Sequence, residues 1–482
     1  MKLNFKTKLS YGLAGVGDAA LYTLIGSFLL FFLNTVVGIN PAVAGTIAAL
    51  GAIWETLCSG LAGYISDRTR TRFGRRKPFL LSAAFPLGIF TSLLFMTIDA
   101  GNSIKVLYYG FMLILFWTAF AFFFVPFHAW GAELTQDYNE RTSLRGYTYV
   151  LNTLGMACGM ILPTIIVDFL MGLGADRELG WQIVGILCGG IASLTIFTSA
   201  MIIKDKDEIA WNRGDRAVKA QGPVEKHHKG LKIAHIKAIL REYGQVLTLK
   251  STRYVIGASI TYLIGYSIFC ADRMYFLTFN LGLSAGNITI VMTFLTFASV
   301  IFVPLISIAN RHYDKRTIYI LGMSICGIAM FTFRFIGFNS ITMLAIFGFA
   351  YALGSICYWQ LIPAMIYDVC EVDELAYDKK RAGVVISLQS LSESGSNALG
   401  LQIMGLLLQF SGFNADAVLQ TKTALMWTSH SFSIIPAFFM LISAVMIALY
   451  PIRKRNFNLV KEALKKKESG EKISLKDFQD LI

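Results

Sequence analysis

The chain has 482 residues, 55% of them hydrophobic and only 15% charged. A soluble domain carries nearer about 25% charged residues, so this composition belongs to the membrane class. The formal charge of +13 would point to nucleic acid in a soluble protein; here its location decides, because loops on the cytoplasmic side of a membrane are basic for topological reasons.

The start, MKLNFKTKLS, is basic and runs into a long apolar segment without a small-residue cleavage site, so it reads as an uncleaved first span. Twelve apolar segments are long enough to cross about 30 Å of hydrocarbon as helices. They cover 11–33, 42–65, 79–98, 106–131, 148–170 and 181–203, then 254–279, 286–308, 317–338, 341–367, 384–410 and 430–451. With both termini cytoplasmic, the loops on that side hold 38 Lys and Arg, and the opposite loops hold three: Lys105, Arg177 and Lys422. That asymmetry predicts cytoplasmic termini and accounts for the basic charge, leaving no case for nucleic acid. The seven cysteines, Cys58, Cys158, Cys188, Cys270, Cys326, Cys357 and Cys370, lie in or beside apolar runs without paired spacing. They read as small core residues, not as a disulfide framework or zinc ligands.

The expected fold is therefore an all-α membrane protein of two six-helix halves, 1–203 and 254–451, embedded in the lipid bilayer. A cytoplasmic linker at 204–253 joins them, and a cytoplasmic tail occupies 452–482. In the linker, Ile236, Ile239, Leu240, Tyr243, Val246 and Leu247 stand at helical spacing, which predicts an amphipathic helix on the inner membrane face. The tail is similar but more charged, and is expected to be loosely ordered after about residue 468.

The halves echo each other. SDRTRTRFGRRKP follows span 2 and NRHYDKRT follows span 8; span 4 ends PFHAWGAELTQDYNERT and span 10 ends PAMIYDVCEVDELAYDKKR. In the last two a proline precedes the acids, and a basic residue follows in the loop. Paired halves with matched interruptions are the pattern of alternating-access transporters.

SDRTRTRFGRRKP (Ser66–Pro78) resembles the loop between spans 2 and 3 of the major facilitator superfamily. KLSYGLAGVGDAALY in span 1 and VPFHAWGAELTQDYNERTSL closing span 4 are similar to the glycoside–pentoside–hexuronide:cation symporters, to which the melibiose permease belongs. The similarity is colinear from about Lys8 to about Pro451 and is strongest in the first half. It implies a secondary transporter that carries a sugar or glycoside with a cation, H+ or Na+, by alternating access, without a cofactor or bound metal. A bacterial inner membrane is the implied location.

Several ionisable groups then ask for a partner or a task, since a lone charge at the bilayer centre costs roughly 2.5–3.5 kcal/mol on insertion scales. Glu55, directly after Trp54, resembles the span-2 acid that ligates the coupling cation in this family. The family's sodium-using members place a second acid one turn on, where this chain has Ser59. The loss of one formal charge weakens a sodium site more than a proton site and favours the proton; Asp18 in span 1 could supply the missing charge. Asp67, Arg68, Arg72, Gly74, Arg75 and Arg76 occupy the motif's places, and charge-assisted bonds there can latch a gate. Glu133, Arg141 and Asp368, in the loop-end stretches after spans 4 and 10, are expected to join it. Ordinary loop charge is the competing reading.

Substrate recognition departs from melibiose. The family's span-1 galactoside acid aligns with Ala19, its span-4 acid with Phe124 and its span-11 lysine with Ser394. What remains suits another sugar-like ligand: Asp18, Trp54, His128, Trp359, Gln360, Gln389, Glu393 and Asn397. Gln389, Glu393 and Asn397 recur every four residues and so share one helix face. Asp272 and Arg273 in span 7 suit either a substrate contact or an outer gate, and Arg273 would fit an anionic sugar such as a uronide. The alternative within the fold is a lysolipid or other amphiphile, suggested by FWTAFAFFFVPF in span 4. No intramembrane catalytic constellation is present, so the chain is not expected to be an enzyme.

Overall fold

The computed structural model describes residues 4–69, 71–134, 138–203, 233–338, 340–378, 381–415, 417, 419–468, 478 and 481. The first part of the expected linker, 204–232, and most of the tail after 468 lie outside the described residues.

Fifteen α-helices run through the described residues. They are α1 (Phe5–Thr35), α2 (Pro41–Arg68), α3 (Lys77–Leu94), α4 (Asn102–Leu134), α5 (Tyr138–Gly172), α6 (Arg177–Ile202), α7 (Ile233–Thr248) and α8 (Lys250–Tyr275). Then follow α9 (Ala285–His312), α10 (Lys315–Ile336), α11 (Ile341–Tyr377), α12 (Ala382–Phe410), α13 (Lys422–Ser429), α14 (Ile435–Ala448) and α15 (Lys454–Glu468). One π-helical stretch, Phe276–Asn280, continues α8, and another, His430–Ile434, joins α13 to α14. Among the described residues there is no strand, only an isolated bridge between Thr71 and Gly74.

Eleven helical segments among the described residues are long and apolar enough to cross a membrane. The predicted span that does not reach this standard is the eleventh, α12. At 29 residues it is about 44 Å long by the helical rise, so length is no obstacle. Its composition is: Ser387, Gln389, Ser390, Ser392, Glu393, Ser394, Ser396 and Asn397 interrupt the apolar residues. Helices also overrun the predicted spans, α1 starting at Phe5 and α11 reaching Tyr377. Counting apolar residues finds the hydrocarbon-crossing part and misses polar turns beyond it. Local chemistry sets several ends. Asn40 caps α2 by accepting from the Ala42 amide, with Pro41 at the first position, and Ser340 caps α11 by accepting from Met343.

The chain forms two compact units that do not follow its order. Unit 1 holds α1–α6 together with Arg273–Thr296 and Leu401–Leu425; unit 2 holds α7, most of α8, Phe297–Gly400 and the chain from Met426 on. In unit 1 the central helix is α1, buried along most of its length. It crosses α5 at two glycines one turn apart: a Cβ at Gly155 would meet the Val16 carbonyl oxygen, and one at Gly159 the Ala20 carbonyl oxygen. This is the small-xxx-small contact by which membrane helices approach closely. In unit 2, α10 packs on α11 through Gly322 against Cys357 and Gly354 against Cys326. These cysteines are free and buried.

Candidate transport site

In unit 1, α2 presents Trp54 exposed and Glu55 and Ser59 half-buried on consecutive turns. The Trp54 indole N–H donates to Thr118 Oγ1 at 3.0 Å, tying α2 to α4 one residue before Glu55 in the chain. Close approach of these helices is allowed by Gly51, where a Cβ would meet Leu113 and Trp117. Asp18 is buried on α1 at 6% exposure. His128 is exposed on α4, its Nδ1 3.1 Å from the Phe124 carbonyl and its ring against that of Phe124.

Unit 2 gathers the other predicted residues into an aromatic and amide cluster. Tyr262 and Tyr358 stack at 4.0 Å, and Trp359 stands edge-on to Tyr358 at 5.1 Å and to Tyr266 at 6.0 Å. Trp359 is 44% exposed, so one face of this aromatic group is open. Next to it the Gln389 amide nitrogen lies 2.7 Å from Ser259 Oγ and 2.9 Å from Glu393 Oε1. Glu393 makes no ion pair among the described residues. Asn397 is half-buried one turn on, and its carbonyl accepts from Ser267. Gln360 points elsewhere, donating to Ser307 at 2.6 Å.

The two span-7 charges are enclosed. Asp272 is 0% exposed, and neither of its oxygens has a hydrogen-bond partner among the described residues; Ser431, beside it, turns its hydroxyl to the Trp427 and Thr428 carbonyls. Arg273 is 3% exposed and donates from Nη2 to Ser27 Oγ at 2.9 Å and to the Met160 sulfur at 3.2 Å. In this conformation both are closed to solvent.

The loop ends carry ion clusters. In unit 1, Arg76 Nη2 lies 2.6 Å from Asp67 and 2.8 Å from Glu133, and its Nη1 donates to Ser66 Oγ at 2.8 Å. Burial pulls the Arg76 guanidinium down, but the hydrogen bonds and charges of Glu133 and Asp67 outweigh it and the net shift is upward. Gly74 makes the turn at φ +91, a backbone region that favours glycine. Its neighbours do less. Arg75 lies 4.0 Å from Glu133, while Arg68 lies over the Tyr64 ring and Arg72 over the Phe73 ring. The Arg141 side chain lies outside the described residues.

In unit 2, Asp368 accepts from Lys315 at 2.7 and 2.8 Å. Asp373 forms a two-bond fork with Arg381, at 2.8 and 2.9 Å, and Arg381 also donates to Gln245 of α7 at 2.7 Å. Sequence reasoning missed Ser66, Lys315, Gln245, Ser259 and the Asp373–Arg381 pair. Only the last had a legible signal, an acid near a helix end followed by a loop arginine.

A family model described as MFS/sugar transport protein matches residues 10–454. An uncharacterized symporter of Synechocystis sp. is 23% identical, covering 98% of this chain and 98% of its own. The glucuronide carrier protein homolog of Escherichia coli is 23% identical, covering 100% of this chain and 99% of its own. Among solved structures, the inward-open xylose transporter of Escherichia coli aligns with a TM-score of 0.64 at 14% identity, covering 95% of this chain and 99% of that one; at that identity the likeness concerns the fold. Helices of membrane-crossing length, the loop motif and a match along nearly the whole chain agree: this chain belongs to the MFS/sugar transport protein family, the glycoside–pentoside–hexuronide symporters of the major facilitator superfamily, and is a multi-pass membrane protein acting as a secondary transporter, not an enzyme.

Proposed function

We propose that the protein carries a sugar, glycoside or hexuronide together with a proton. The observation that supports this most is the unit 2 cluster, where the exposed Trp359 and its tyrosine partners stand beside the Ser259–Gln389–Glu393 chain. A sugar offers an apolar ring face and a rim of hydroxyl groups, and a site of aromatic surface with a few placed amides and acids matches both. A lysolipid would call for an apolar cavity lining, which the polar face of α12 does not provide.

The coupling group on this reading is Glu55, half-buried on α2 with a neutral Ser59 one turn away. With Ser59 in place of a second acid, the helix offers one carboxylate where a small hard cation, which prefers several oxygen ligands, would call for more, and this favours the proton. Alternating access follows from the family and is the expected mechanism.

Counterflow in proteoliposomes with a panel of neutral sugars, glucuronides and lysolipids, at varied pH and sodium, tests both parts. Exchange of a sugar or glucuronide is expected, with uphill uptake driven by a pH gradient and lost in Glu55→Gln. Exchange of lysolipids alone would overturn the substrate class, and a requirement for sodium would overturn the proton.

A further inference from the structure

Gln389 sits at a junction whose donors and acceptors do not match. Its amide nitrogen, with two protons, lies 2.7 Å from Ser259 Oγ, 2.9 Å from Glu393 Oε1 and 3.3 Å from the Tyr358 hydroxyl. Its amide oxygen is buried with no partner among the described residues. Ser259 and Tyr358 are themselves 2.7 Å apart, so one hydroxyl donates to the other and the second hydroxyl proton needs another acceptor.

An amide's oxygen and nitrogen are alike in shape, and their neighbours decide which way the group faces. With Glu393 ionised, the nitrogen faces the carboxylate and donates to it. With Glu393 protonated, the carboxyl group becomes a donor. The amide oxygen, turned to the junction, then accepts from Glu393 and from Ser259, while Ser259 accepts from Tyr358. Every proton at the junction has an acceptor in that arrangement. What remains is the amide NH2, now facing the side where the oxygen had no partner, and a buried donor without an acceptor is costly.

We infer that Glu393 is a proton-binding carboxyl group, with Gln389 as its positioning residue, and that the proton binds together with a sugar oxygen that accepts from the turned amide. This rests on the sugar-symport reading above and adds a second proton site to Glu55. Among the described residues, the titratable group facing Glu393 from the packed helices is a phenol, Tyr358 on α11, with Tyr262 and Tyr266 of α8 in the same ring stack. No Lys, Arg or His pairs with Glu393 among the described residues, so a proton is what removes its charge. Asp272 also makes no ion pair among the described residues but is sealed at 0% exposure, whereas Glu393 is half-buried and open to exchange. By linkage, proton and sugar strengthen each other's binding by one factor.

The test is an infrared titration of the purified protein in liposomes, paired with binding of methyl β-D-glucuronide followed by tryptophan fluorescence. The wild type should show the carbonyl stretch of a protonated carboxyl group. That band should vanish in E393Q, persist with a moved midpoint in E393D, shift in Q389L, and stay in E55Q. Glucuronide affinity should rise about tenfold as pH falls through the midpoint of that band, and E393Q should lose this rise and keep only a pH dependence that E55Q removes. If every carboxyl band of the wild type survives in E393Q, the proton site is overturned. A band lost in E393Q, beside a glucuronide affinity that ignores pH, overturns the linkage. If no sugar binds, the substrate reading fails, and the infrared titration still decides whether Glu393 holds a proton.

Discussion

Each unit closes its loop end with a buried arginine held by acid, two carboxylates in unit 1 and one in unit 2, and the two clusters are built differently. Arg381 and Asp373 have side chains only 6% and 1% exposed and meet through two parallel bonds, with Gln245 and the Tyr377 ring completing the enclosure. Arg76 is equally buried at 6%, yet its partners are not: Glu133 is 33% exposed and Asp67 is 65% exposed. Water therefore competes for the unit 1 carboxylates and is shut out of the unit 2 pair. A sealed, bidentate pair holds one geometry, because opening it strands a charge in a poor solvent. A pair with one wet partner can open at little cost, since the released carboxylate is rehydrated. The unit 2 cluster has the physical character of a clamp, and the unit 1 cluster that of a latch.

The sharpest way to break this comparison is to remove one member of the sealed pair. Arg381→Met leaves Asp373 buried without its partner and should lower stability by about 3–5 kcal/mol, read as an earlier thermal unfolding of the purified protein. Adding Asp373→Leu should return most of that loss, because the cost lies in the stranded charge rather than in the missing attraction. No recovery in the double variant would mean that the pair acts through geometry alone. The next effect is smaller. Arg76→Met removes the bonds to Ser66, Glu133 and Asp67 but leaves carboxylates that water can reach, so about 1.5–3 kcal/mol is expected. A loss equal to that of Arg381→Met would erase the distinction between clamp and latch.

The sequence made most helices legible because a run of some twenty apolar residues has few other physical meanings. It located α12 as well, despite its polar residues, and the spacing of Gln389, Glu393 and Asn397 marked the face on which Gln389 meets Glu393. It could not choose among Arg68, Arg72, Arg75 and Arg76. All four lie close together, at the end of α2 and in the short loop after it, and the turn at Gly74 decides that Arg76 reaches Asp67 and Glu133 while Arg68 and Arg72 settle on aromatic rings. Partners from distant helices were equally out of reach. Ser259 is 130 residues from Gln389, and no pattern along the chain relates them. The Asp373–Arg381 pair spans eight residues and was missed for another reason. Asp368 and Asp373 both precede the loop, and the left-handed turn at Asp378 that swings Arg381 back to the second acid is not written in the spacing of charges.

The smallest expected effect sharpens the comparison most, because it separates exposure from distance. Asp67 lies 2.6 Å from Arg76, nearer than Glu133 at 2.8 Å, and by distance alone Asp67→Asn should matter more than a change at Glu133. By exposure it should matter less: a carboxylate open to water over most of its surface gains little from an ion pair, about 0–1 kcal/mol. Salt provides the discriminating measurement. A wet pair is screened within about 8 Å at physiological ionic strength, so any stability difference between wild type and Asp67→Asn should shrink as salt is added. The loss in Arg381→Met should hardly change with salt, because ions do not enter the sealed pair. If Asp67→Asn destabilises by several kcal/mol at any salt concentration, short distance outweighs exposure and the latch is as rigid as the clamp.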